Sequence, residues 1–229
     1  MPCLRELCAS STVVVLDAAS DLVQVGRLEP GAPARWETSS EEAGVAIFRC
    51  FAALGLDVQQ VDAWAYCDGP GSILGIRTAA MALRTWSVGR HRAIFAYSGL
   101  AVVAHALGQP DLGVIVDARR ETWHHYEIGR GLSRVPTAQL AGRLVTPEHF
   151  RHWSALPADV GRVPYALAQL LPKVWDADLL RPTDAPDAFL HEEPRYVTWT
   201  PQIHRAPGGL LRSSAIASRR GRSHNPASS

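Results

Sequence analysis

Two aspartates stand at the ends of apolar, β-branched runs: Asp17 after Thr12-Val13-Val14-Val15-Leu16, and Asp117 after Gly113-Val114-Ile115-Val116. A carboxylate in that position can face a phosphate or a metal ion, or it can cap its own turn. Between them lies "GPGSILGIR", Gly69 to Arg77, placed after the apolar run Val61–Cys67 and before an alanine-rich stretch. A glycine-rich turn from strand to helix is a common phosphate cradle. Two templates test it. A P-loop needs a lysine after its last glycine, and the chain's single lysine is Lys173. A dinucleotide fingerprint needs GxGxxG and an acid about 20 residues on. Here Gly69, Gly71 and Gly75 are spaced one residue too long, no Asp or Glu occurs between Asp68 and Asp111, and Pro70 removes a backbone N–H.

What the turn retains is shape. Gly69 and Gly71 around Pro70 permit a tight reversal, Ser72 can cap the following helix, and Gly75 lets that helix approach another backbone. Arg77 falls in the first helical turn, where the macrodipole disfavours a cation, so it calls for a carboxylate, a phosphate or an acid on another protein. Thr78 to Leu83, with Ala80 and Leu83, offers a small-residue face for close packing.

The remaining chemical candidates are weaker. His124 and His125 are adjacent on an expected strand and would face opposite ways. His149 and His152 are three apart but lack further ligands, and Cys3, Cys8, Cys50 and Cys67 show no CxxC or zinc spacing. Ser72, Cys67 and the histidines form no nucleophile–base pattern that spacing reveals, so peptidase chemistry has little support.

Elements must position these groups. Residues 12–16 and 22–28 read as a hairpin, with a third strand at 34–37. Ser39 with Glu42 reads as a capping box for a helix from Ser40 to Leu54, whose apolar stripe is Val45, Phe48, Phe51 and Ala52. A strand at 61–67, the glycine turn, a helix over 76–88, a strand at 93–97 and a helix Gly99–Leu107 stopped by Gly108 follow. A fresh hairpin, 113–117 with 123–128, opens a second similar unit, and short helices are expected near Pro147–Trp153 and Tyr165–Leu171. The division is therefore an extension over 1–11, a first lobe over 12–108, a second, trimmed lobe over 109–204, and a tail over 205–229.

With 229 residues, 47% hydrophobic and 20% charged, the chain is long enough for such a pair of lobes and has no apolar run of membrane-spanning length. A cytoplasmic protein with reduced thiols is the expectation. Six of the 23 basic residues, Arg195, Arg205, Arg212, Arg219, Arg220 and Arg222, follow the last acid, Glu193. The Ser/Gly/Pro/Arg-rich tail reads as solvated and disordered, with RNA tethering through phosphates as the sharper alternative.

The glycine turn resembles the GPGSFTGxR signature of the TsaB family, also called glycoprotease-like. "LDAAS", Leu16 to Ser20, resembles that family's opening IDTS, "VIVDARRETW", Val114 to Trp123, its IDARRGEVY hairpin, and "PRYVTW", Pro194 to Trp199, its PxYxR segment. Ile73-Leu74 replaces the family's Phe-Thr, Ser39-Ser40-Glu41 its HSE, and Glu121 a glycine. The resemblance implies an α/β, two-lobed actin-like (Hsp70-like) fold with mixed sheets. It implies a non-catalytic subunit that partners a catalytic TsaD-like protein and, through it, a TsaE-like ATPase, in making threonylcarbamoyladenosine on tRNA. The helices over 40–54 and 76–88 would build the interface, with Gly69, Pro70, Gly71, Ser72, Gly75, Arg77, Ala80 and Leu83 as interface or turn residues. A homodimer is expected without the partner. No metal and no cofactor is expected, since the paired HxxxH of TsaD proteins is missing. Residual weak nucleotide binding would fall to Asp17, Ser20, Asp117, Arg119 and Arg120. The alternative is an actin-like small-molecule kinase or carbamoyltransferase in which Asp17 and Asp117 are the working acids.

Overall fold

β-branched residues fit a pleated surface covered on both faces, and the run at the start of the chain becomes such a strand. The computed structural model describes residues 3–189, so the 205–229 tail and the Pro194–Trp199 segment lie outside the described residues. Strand β1 (Val13–Asp17) is buried along its whole length. It pairs antiparallel with β2 (Val23–Leu28), which pairs antiparallel with β3 (Arg35–Ser39). On its other side β1 runs parallel to β4 (Ala63–Gly69), and β4 parallel to β5 (Ala93–Ser98).

The second sheet repeats this plan. Strand β6 (Leu112–Asp117) pairs antiparallel with β7 (Thr122–Glu127), and β7 with β8 (Gly131–Pro136). Parallel to β6 lies β9 (Arg143–Pro147), and parallel to β9 lies β10 (Gly161–Val163). The orders β3-β2-β1-β4-β5 and β8-β7-β6-β9-β10 are the same meander-then-parallel pattern used twice. A last short strand, β11 (Arg181–Pro182), adds antiparallel to β5. Both sheets belong to one compact unit, Met1–Glu192.

The helices differ between the sheets. The first carries α2 (Ala43–Ala53) between β3 and β4, and α3 (Ile73–Trp86) between β4 and β5. The second has a three-residue 3-10 turn, Thr137–Gln139, in the place of the former and no helix between β9 and β10. Its trimming is thus a loss of helices, not of strands. Helix α4 (Gly99–Leu107), whose first six residues are buried, packs on β4 and β5 and also on β6 and β7. It ends at left-handed Gly108, as its sequence requires. Near the amino end, α1 (Leu4–Cys8) buries Leu4 and Cys8 in the main core and is held by Arg5 N–H to the Trp175 carbonyl. Leu167–Leu170 forms the short α5.

Three local expectations are corrected. Ser39 ends β3 and does not cap a helix; its hydroxyl accepts from Glu41 N–H, and α2 begins at Ala43 after Glu42. The residues from Pro147 to Trp153 are the end of β9 and a loop, because pairing with Val163 of β10 claims the first of them. The face of α2 that enters the core is Ala46, Ile47 and Cys50, whereas Val45 and Phe48 point to solvent. That helix is apolar on both sides, and only the sheet beneath it chooses which side is covered. No helix among the described residues is long and apolar enough to cross a membrane.

Candidate functional site

The glycine turn is pressed against the loop that follows β1. A Cβ on Gly71 would stand 2.2 Å from the Ala19 carbonyl oxygen, and one on Gly75 2.1 Å from that of Ala18. No side chain fits either gap, which is the reason for glycine at both positions. Ser72 N–H donates to Ala19 O at 2.7 Å, while its hydroxyl accepts from Gly75 N–H at 3.2 Å and caps α3. The N–H groups of Ser72 and Gly75, which could have met a phosphate, are therefore already used. The turn ties β1 to α3 and sets the helix's direction.

Asp17 is sealed in the same way. It is 1% exposed; its carboxylate accepts from Ala19 N–H at 3.0 Å, Tyr97 O–H at 3.0 Å and Tyr165 O–H at 2.7 Å. Burial pushes its pKa up, against the lowering effect of those hydrogen bonds. Tyr165 comes from the link before α5, and Gln24 clasps it there, donating to Tyr165 O and accepting from Leu167 N–H. Gly99 leaves room for the phenol, since a Cβ there would meet its oxygen at 2.5 Å. Ser20 serves its own turn, bonded to both backbone groups of Leu22.

Asp117 caps a different loop. It accepts from Arg119 N–H (2.6 Å), Trp153 N–H (2.8 Å) and Ser154 N–H (2.6 Å). Burial works to raise its pKa, but the N–H groups of Ser154, Arg119 and Trp153 outweigh it and hold the carboxyl below the usual range. Arg119, Arg120 and Glu121 then adopt φ of 64°, 53° and 55°, three left-handed residues in a row, each costing about 1–2 kcal/mol when it is not glycine. Asp17 and Asp117 thus have separate, complete sets of partners. Among the described residues no cluster of three or more His, Cys, Asp or Glu could hold a metal ion.

Arg77 finds its acid within the chain: Asp187 lies 3.5 Å from it and 3.9 Å from Arg84. The segment carrying Asp187 is bound to β4, through Tyr66 O–H to Asp187 O and Phe189 N–H to Asp68 O, and through Arg181 to Asp68 at 2.6 Å. Ala80 and Leu83 are buried in the core, so they pack α3 inward.

The outward face of α3 is a seam that sequence reasoning passed over. Leu74 is 79% exposed, and Thr78, Met81 and Thr85 follow it at helical spacing, with Val88 exposed just past the end. The hydroxyls of Thr78 and Thr85 donate back to Leu74 O and Met81 O, each at 2.8 Å. Their hydrogen-bonding needs are met within the helix, so the seam is more apolar than its letters suggest. Phe48 of α2, half-exposed, meets Trp86 edge-on at 5.7 Å, which joins the open side of α2 to the end of the seam. The signal was present as the spacing 74, 78, 81, 85 beside the buried 76, 79, 80, 83 stripe.

Comparison with solved structures places this architecture. The chain has the fold of YeaZ. YeaZ from Pseudomonas aeruginosa superposes with a TM-score of 0.55 at 19% identity, over 79% of this chain and 100% of that one. A second structure, an uncharacterized protein from Pseudomonas aeruginosa with similarity to peptidase YEAZ, gives 0.53 at 19% identity, over 81% and 99%. The fold is the actin-like, two-sheet arrangement that the resemblance implied. Residues 36–136 match the family model described as TsaD, tRNA N6-adenosine threonylcarbamoyltransferase. No curated protein matches the sequence.

Proposed function

We propose that this protein is a non-catalytic subunit of the TsaB kind. It docks the outer faces of α2 and α3 on a catalytic TsaD-like subunit that makes threonylcarbamoyladenosine on tRNA in the cytoplasm, with a TsaE-like ATPase joining through that partner. The single observation that carries this reading is the open apolar seam, Leu74, Met81 and Phe48, on helices whose other faces already complete the core. Contiguous exposed apolar side chains at this density mark a protein-contact surface. The groups that an enzyme would need, Asp17 and Asp117, are saturated by internal donors.

Mixing the purified chain with the TsaD-like protein of its own source should give one complex on size exclusion, and the chain alone should run as a homodimer through the same seam. Separate peaks across micromolar concentrations would count against the pairing. Isothermal titration with ATP and magnesium tests the alternative of a kinase or carbamoyltransferase, for which tight binding with turnover is required.

A further inference from the structure

The loops at the carboxyl ends of β6 and β9 hold a feature that subunit pairing does not use. Asp117 binds the two loops together through the N–H groups of Arg119, Trp153 and Ser154. Every turn of the first loop is braced from within. Ala118 N–H donates to Thr122 O, Thr122 donates twice to Arg119 O, Thr137 donates twice to Glu121 O, and Arg134 donates to Ala118 O. The brace maintains three left-handed residues where glycine would be unstrained, and strain held in this way gathers at binding sites. Its result is that Arg119 and Arg120 stand exposed, with no ion pair among the described residues.

Beside them Trp153 is 52% exposed, and the Arg119 guanidinium lies 4.3 Å above its ring. Trp153 gives its backbone N–H to Asp117 and leaves about half of its surface open to solvent, and it is not part of the hydrophobic core. The neighbouring charges are known. Arg151 faces Asp21 at 3.7 Å, Arg162 bears on His152, and Glu121, exposed, is the acid of the loop. Asp117 is enclosed by its donors, and in the loop after β6 Arg119 and Arg120 outnumber the single exposed acid, Glu121.

An exposed indole beside arginines that have no carboxylate partner among the described residues matches one ligand chemistry: an unstacked base followed by phosphates. We propose that Trp153, Arg119 and Arg120 form a contact site for single-stranded RNA, with a base stacked on Trp153 and adjoining phosphates on the two arginines. This stands on these residues alone and does not need the seam on α3.

The test uses the full chain and anisotropy of a labelled single-stranded RNA of about 12 nucleotides at about 50 mM salt, where phosphate contacts are strong. Trp153→Ala should weaken binding by about five-fold or more, and Trp153→Phe, which keeps a stacking face, should retain most of it. The pair Arg119→Asn and Arg120→Asn should weaken binding and lower the salt slope by about one to two; asparagine is chosen because it tolerates left-handed backbone. Replacing Arg219, Arg220 and Arg222 with alanine separates the tail, and the Trp153→Ala ratio should survive that change. The proposal is overturned by any of four results: wild type does not bind, Trp153→Ala binds as wild type, the tail variant abolishes all binding, or ATP at equal nucleotide concentration displaces the strand. The last result would assign the site to mononucleotides.

Discussion

Leu74→Asp separates the fold of this protein from its associations, because the two should respond with opposite signs. Leu74 is the second residue of α3 after the Ser72 cap and is 79% exposed, so the folded chain loses almost nothing when it goes. A carboxylate there faces the positive end of the helix dipole and adds about 0.3–1 kcal/mol of stability. At an apolar contact the same change loses about 1–2.5 kcal/mol of leucine burial, scaled from the value for a full side chain. It also leaves an unpaired charge, which costs at least about 1 kcal/mol more and commonly several. Together these exceed about 2 kcal/mol, a Kd weaker by about 30-fold or more. Calorimetric titration against the TsaD-like protein and light scattering of the chain alone read the association, and a thermal melt reads the fold. Binding within about three-fold of wild type, with the melting point unchanged, would refute the placing of the seam at the interface. A melting point many degrees lower would refute its exposure.

Other changes probe the parts beneath. Gly75→Ala should destabilise by about 1–3 kcal/mol in urea unfolding, since its Cβ would meet Ala18 O at 2.1 Å; Gly44→Ala, within α2 and facing open space, should stabilise by about 0.5–1 kcal/mol. Asp17 has a folded pKa raised above the unfolded value of about 3.9, so its contribution is full below that value and declines as pH rises through the folded pKa. The stability gap between wild type and Asp17→Asn should therefore narrow with rising pH in urea melts, and a gap that widens would show that the three hydrogen bonds outweigh burial. Tyr165→Phe removes one donor from that buried carboxylate and should cost about 1–3 kcal/mol at neutral pH. Asp187→Ala should change the melting point little, because Arg77 and Arg84 are half-exposed and solvent screens the pair.

Much of the fold could be read because its signals are local. Gly108 stops α4 where a left-handed residue is needed, and Ser72 caps α3 through a hydroxyl three residues from its donor. The apolar runs ending at Asp17, Gly69 and Asp117 are strands, and the second hairpin restarts the pattern of the first. Where two local signals competed, reading failed: Ser39 looked like a cap, but pairing with Val23 drew it into β3. The glycine turn was legible as a shape, and the close approach at Gly75 was expected, although the backbone it approaches was not.

Sequence alone determined the seven strands from β1 to β7 and the glycine turn without a phosphate-loop lysine, since each depends on neighbours a few residues apart; the later strands β8 to β11 were not legible. Tertiary structure decided which side of α2 and α3 faces the core and which acids are closed off. Val45 and Ile47 are equally apolar, and only the sheet beneath made one open and the other buried. Asp17 meets Tyr97 and Tyr165 from 80 and 148 residues away, and Arg77 meets Asp187 from across the chain. Partners at such separations are set by how elements stack, because side-chain contact depends on distance in space and periodicity records only position along one element.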